Sequence, residues 1–175
     1  MSRRSRVNYY VLVPEVAGHF GADTIFIDRA SRPPLVEKLH YEFDGWLGDP
    51  IVETICCYIV TQPLEARIVA TNPTGVNFDD VKVSKSDQFV RLHPDRALPQ
   101  FAWLQITGVA GRDDFGYTTT HGRSIVVSSR ILDILSEFGI PHCCVVELGS
   151  WRGGKAVILE KIRKFKLGHP LPKQN

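Results

Sequence analysis

Two stretches of this chain carry the same order of signals, and that order restricts the fold more than any single motif does. In the first, the apolar run Cys56–Val60 leads into Thr61, a helix-capping residue type, with Pro63 in the first turn and Glu65 soon after. Leu64, Arg67 and Ile68 begin a short helix that Asn72-Pro73-Thr74-Gly75 must end, and Phe78–Val83 resumes as a strand. In the second, Ile125–Val127 precedes Ser128-Ser129, and Ile131, Leu132, Ile134, Leu135 and Phe138 recur at helical spacing as one apolar stripe. Gly139 stands where a helix takes its left-handed cap, Pro141 forbids continuation, and Cys143–Leu148 returns to strand. Both stretches read strand, capped helix, Gly/Pro turn, strand. The expected fold is α/β in the broad sense (α+β), a mixed β-sheet with short helices packed on it, built around two strand–helix–strand units.

The other segments fit around these units. Val7–Val13 reads as a strand closed by Pro14, and Gly18 to Gly21 as a turn. Val36–Phe43 alternates Val36, Lys38, His40, Glu42 against Glu37, Leu39, Tyr41, Phe43, a strand with one buried face. Asp44-Gly45 and Gly48-Asp49-Pro50 break the chain around Trp46. Ser84-Lys-Ser-Asp87 caps a short helix over Gln88–Leu92, and Phe101–Thr107 is a further strand. Gly111 to Gly122 reads as a long polar loop. Ala156, Ile158, Leu159, Ile162 and Phe165 have the spacing of a terminal amphipathic helix. With 175 residues and no linker-like tract, 1–175 is expected to form a single domain with flexible ends at 1–6 and 168–175. A chain of this size buries roughly 70% of its unfolded surface and needs no staple.

Composition narrows the class. A net charge of +2 gives no reason to expect a nucleic-acid partner. The basic residues Arg3, Arg4, Arg6 and Lys155, Lys161, Arg163, Lys164, Lys166 read as solvated ends. No segment approaches the ~20 apolar residues of a membrane span. Val7–Val13 holds Asn8 and lacks a small-residue cleavage site, so it does not read as a signal peptide. A cytoplasmic protein is expected, its cysteines reduced. Cys56-Cys57 and Cys143-Cys144 are adjacent pairs that point to opposite faces of a strand, with one member of each toward the core. They fit neither an internal disulfide nor the C-x2-C spacing of a zinc site.

Catalytic patterns are missing. There is no G-x-S-x-G elbow, no His pair at i, i+4, and no Walker spacing around Arg152-Gly153-Gly154-Lys155. Adjacent aspartates on a strand, as at Asp79-Asp80, cannot chelate one ion together. No catalytic residue, metal or cofactor is therefore assigned. What stands out is aromatic residues beside acids in apparent loops: Asp44, Trp46 and Asp49, then Asp113, Asp114, Phe115 and Tyr117. Rings next to fixed charge are the raw material of binding hot spots, and these seven residues are the candidate partner-binding set. Inward-folding rings that merely cover a sheet edge are the plainer alternative.

Several motifs taken in order carry a resemblance. They are Tyr9-Tyr-Val-Leu-Val13, Leu39-His-Tyr-Glu-Phe-Asp-Gly-Trp-Leu-Gly-Asp49, and Phe78-Asp-Asp-Val-Lys-Val-Ser84 with Gln88-Phe89. Leu98-Pro-Gln-Phe-Ala-Trp-Leu-Gln-Ile-Thr-Gly108, Asp113-Asp-Phe-Gly116 and Val126-Val-Ser128 follow. Together, from about Tyr9 to Leu148, the chain resembles the myxobacterial-type immunity-protein family, long catalogued as a bacterial domain of unknown function. The resemblance implies a non-enzymatic antidote that binds and occludes a cognate protein toxin of a polymorphic or type VI secretion system, often a nuclease, in the cytosol. It supplies no catalytic residues, and the basic segment after Trp151 lies outside it. If the toxin is a nuclease, Asp44, Asp49, Asp113 and Asp114 are expected to stand in for nucleic acid. The competing expectation is a small hydrolase or nuclease whose site is assembled from distant residues. An interaction domain forming a homo-oligomer is a third.

Overall fold

The computed structural model describes residues 7–154. The basic ends and the terminal helix expected after Gly154 lie outside the described residues. In chain order the elements are β1 (Tyr9–Val13), β2 (Gly18–Phe20), β3 (Ile25–Asp28), β4 (Leu35–Phe43), β5 (Ile51–Thr54), β6 (Cys57–Thr61) and α1 (Gln62–Val69). Then come β7 (Val76–Asp79), β8 (Val81–Lys85), α2 (Asp87–Leu92), β9 (Phe101–Ile106), β10 (Phe115–Tyr117), β11 (Ile125–Ser128), α3 (Ser129–Phe138) and β12 (Cys144–Glu147). The fold is α+β and mostly sheet, with three four-stranded sheets and three short α-helices among the described residues.

The two strand–helix–strand units are both present, and each is split by a strand from elsewhere. β6 and β7 both run antiparallel to β9, which lies between them, so they are parallel to each other across α1. β11 and β12 likewise flank β1 and are joined through α3. Each unit also adds a hairpin strand on the same side, giving the orders β5-β6-β9-β7 and β10-β11-β1-β12. The echo in the sequence is thus a repeated topology.

The β5-β6-β9-β7 sheet lies in the middle. One face sends Ile51, Tyr58, Val60 and Leu104 to meet Leu12, Phe115, Ile125 and Val127 of the β10–β12 sheet, with Leu64 and Ile68 of α1 and Ile131 and Leu135 of α3 between. The opposite face sends Val52, Cys57, Ile59, Phe101 and Trp103 against Leu39, Tyr41 and Phe43 of β4 and Phe89 of α2. Every residue of β6 is buried as a result. β4 organises the third sheet, with β2 and β3 antiparallel along one edge and β8 parallel along the other.

Several local expectations change. Gly18 to Gly21 holds a strand, because Gly18, His19 and Phe20 pair with Phe43, Glu42 and Tyr41. Phe78–Val83 is two strands: β7 stays beside β9 while β8 crosses to β4. The polar loop from Gly111 to Gly122 contains β10, paired with β11. Thr61 and Ser128 occupy helix N-cap positions without a capping hydrogen bond, whereas the Ser86 hydroxyl accepts from the Phe89 N–H at 3.3 Å. Cys57 is buried in the second cluster, Cys143 packs on the first, and all four cysteines are free thiols. Among the described residues no helix is long and apolar enough to cross a membrane.

Where β7 begins, Gly75 (φ +76°) lies directly against the Phe115 carbonyl and the Gly108 backbone. A side chain there meets both backbone strain and a clash, so Gly75→Ala is expected to cost about 3 kcal/mol. Urea unfolding checks this; a loss below about 1 kcal/mol contradicts the close approach.

Candidate functional site

The Asp44–Pro50 connection between β4 and β5 is short, but it is fastened at nearly every residue. The Asp44 and Gly45 N–H groups donate to the Ala17 carbonyl at 2.9 and 3.2 Å. The Leu47 N–H donates to the Glu15 carboxylate at 2.9 Å, and the Trp46 indole N–H to the Asp49 carbonyl at 2.9 Å. Asp49, 1% exposed, accepts from the His142 N–H at 3.0 Å and lies 2.8 Å from its Nδ1, which ties the loop to the turn before β12. The Trp46 ring packs edge-on to Phe43 and Phe101, with the Arg96 guanidinium 5.0 Å from its centroid. On this frame Leu47 is 57% exposed, and Val16, between the two residues that bind the loop, is 66% exposed. Asp44 opens the same loop, its carboxylate 2.7 Å from His19 Nδ1. Burial of the Glu15 carboxyl raises its pKa, and the Leu47 N–H opposes the shift.

The second group has a different character. Asp114 is buried and holds the Thr74 N–H at 2.9 Å, the Ser128 hydroxyl at 2.8 Å and Arg130 Nε at 2.7 Å. The Arg130 hydrogen bonds hold its carboxyl well below the usual carboxylate range. Phe115 is 1% exposed in the core. Asp113 accepts from Arg112 and the Val109 N–H, both at 2.8 Å. Tyr117 donates to the Cys56 carbonyl at 3.3 Å, beneath the Arg123 guanidinium. Among the described hydrogen bonds, none joins Asp44, Trp46 or Asp49 to Asp113, Asp114 or Tyr117. Asp49 and Asp114 are committed inside the fold, so four aspartates acting together as a nucleic-acid mimic is not the arrangement present.

The fold also gathers groups that no sequence spacing connects. Ser84 Oγ lies 2.7 Å from His40 Nε2, and His40 Nδ1 lies 3.5 Å from Asp23 Oδ2. The spacing imitates a Ser–His–Asp triad, but the protons run the other way. The Asp23 N–H donates to Nδ1 at 3.1 Å, leaving Nε2 to donate to Ser84, whose hydroxyl donates to Glu42 at 3.0 Å. An imidazole donating to serine cannot take its proton. Burial pushes the Cys57 and Cys143 thiols up to about 12, far from a reactive thiolate. Among the described residues no three His, Cys, Asp or Glu side chains are placed to hold a metal ion. The His142–Asp49 pair lines neither the groove of about 520 Å³ beside β8 nor the one of about 200 Å³ beside Cys56.

No family model matches the chain, and no curated protein matches it.

Glu53 is half-buried on β5, where desolvation pushes its carboxyl up to about 7 despite the opposing influence of Tyr58 across the hairpin. The folded chain therefore binds this proton more tightly than the unfolded one. The associated stability is fully present below an unfolded pKa of about 4.3 and is lost as pH rises through about 7. Glu53→Gln is expected to remove that slope and to gain on the order of 2 kcal/mol at pH 8, discounted for partial exposure. Urea midpoints at pH 5 and pH 8 read the difference; a variant that tracks the parent across this window contradicts it.

Proposed function

We propose that the chain is a stoichiometric protein-binding antidote of the immunity-protein kind, occluding a cognate toxin with the surface around Trp46. The observation that carries this is the preset loop. Leu47 and Val16 project from a backbone fixed by Glu15, Ala17, Asp49 and His142, with Asp44 at the rim. An apolar anchor held rigid beside charge loses little entropy on binding, the condition under which a modest patch becomes a hot spot. The sequence resemblance supports the same class of activity. A partner surface of ~800 Å² per side would extend well beyond these residues.

One feature favours a second reading, a hydrolase or nuclease. His142 Nε2 has no partner among the described residues, and the buried Asp49 orients the ring from behind, the arrangement of a general base. The thiol that follows it, Cys143, is held protonated by burial, and neither of the two described grooves is lined by His142.

Co-expression with the neighbouring open reading frame separates the two. The antidote reading expects rescued growth and co-purification, with Leu47→Asp weakening association roughly tenfold or more. A toxic neighbour that neither co-purifies nor is neutralised contradicts it. Protection that survives Leu47→Asp and is lost with His142→Ala, both chains folded, favours the enzyme.

A further inference from the structure

The free edge of β8 lies along a groove of about 520 Å³, lined by Val81, Val83 and Lys85 on one side and Leu98, Pro99, Gln100 and Phe101 on the other, with Gln62 and Ser84 completing it. Among the described residues β8 pairs only with β4, in parallel, and no strand lies hydrogen-bonded along its other edge. The Ser86 N–H donates to the Phe43 carbonyl of β4 at 2.9 Å. Backbone groups alternate in direction along a strand, so those of Lys82 and Ser84 also turn toward β4, while those of Val81, Val83 and Lys85 turn toward the groove. No hydrogen bond described for the chain joins these three backbones to the segment across the gap.

Lysines commonly guard such an edge, but here Lys82 turns back to a carboxylate, while Lys85, held by a neutral carbonyl, keeps its charge at the groove. Lys82 pairs with Asp23, and Lys85 donates to the Arg96 carbonyl beside the Phe89 ring.

We infer that this groove binds an extended, acidic peptide segment of a partner protein by strand addition to β8. Strand pairing needs ~4.8 Å on the open side of β8, and the wall at Leu98–Phe101 closes the far side. A second copy would lay its own Lys82 and Lys85 along this edge, like charge beside like, which disfavours self-pairing and favours a separate acidic strand. The lining holds one lysine and no carboxylate, which favours acid in the guest. Side chains at every second position of the guest would lie over Val81, Val83 and Leu98. The groove adjoins the Trp46 ring, which packs on its lining residue Phe101, but strand addition to β8 stands whether or not the Trp46 loop binds a toxin.

The test uses the full chain and an N-acetylated, C-amidated hexapeptide of alternating valine and glutamate, followed by amide chemical shifts. Expected are saturable shifts confined to residues 81–85 and 98–101. Two further peptides carry N-methyl groups either on all valine amides or on all glutamate amides. A strand bonded along one edge tolerates one pattern and loses roughly tenfold or more with the other. Equal effects of the two patterns, or no shifts up to about 5 mM peptide, overturn the proposal. A dimer in sedimentation that the peptide dissociates would assign the edge to a second copy and overturn it as well.

Discussion

The middle sheet is covered on both faces, and the rest of the structure depends on that double burial. Its strands cannot use the simple apolar-in, polar-out alternation of a sheet with one wet face. Cys57, Tyr58, Ile59, Val60 and Thr61 are all buried, with successive side chains feeding opposite cores. One core binds the second split strand–helix–strand unit, and the other binds the β4 sheet. Each fully buried aliphatic or aromatic side chain contributes roughly 1.5–3 kcal/mol, so burial on both faces of the middle sheet is what holds the three layers together. The loop from β4 to β5 crosses between two of these layers, which is why so many of its polar groups are tied down.

Much of this was legible in the sequence where the signal was local. The helix over Ile131–Phe138 has its stripe, its preceding serines and its terminal glycine within one short window, and α3 spans Ser129–Phe138. The similar reading of the Thr61–Gly75 stretch made the repeated topology visible as an echo. The β5–β6 hairpin was not legible. Its two-residue turn uses Ile55 (φ 39°) and Cys56 (φ 63°), where Asn-Gly would be the usual cue, so nothing announced it. β2 and β10 were hidden for another reason: three residues among glycines and polar side chains become strands only because β4 and β11 lie beside them.

The candidate site divides along the same line. Trp46 and Asp44 sit in the loop that the glycines and Pro50 announce, which also carries the exposed Leu47. Val16 and Leu47 were missed because a single exposed valine or leucine carries no pattern of its own; only the loop's hydrogen bonds give them a position. Asp114 and Phe115 looked equivalent to Trp46 in composition, yet β10 pairing turns both inward. Likewise, Asp23, His40, Ser84 and Glu42 meet across β4 and β8 through register alone, which no spacing rule encodes.

The claim at the centre is that the Trp46 loop is already ordered before any partner arrives. Hydrogen exchange of the free protein, read at the Leu47 amide, the His142 amide and the Trp46 indole N–H, addresses it directly. The account predicts exchange at all three at least about tenfold slower than in an unstructured chain, since each donates to a fixed acceptor. Exchange at unstructured-chain rates would mean a loop that orders only on contact, and the account would fail.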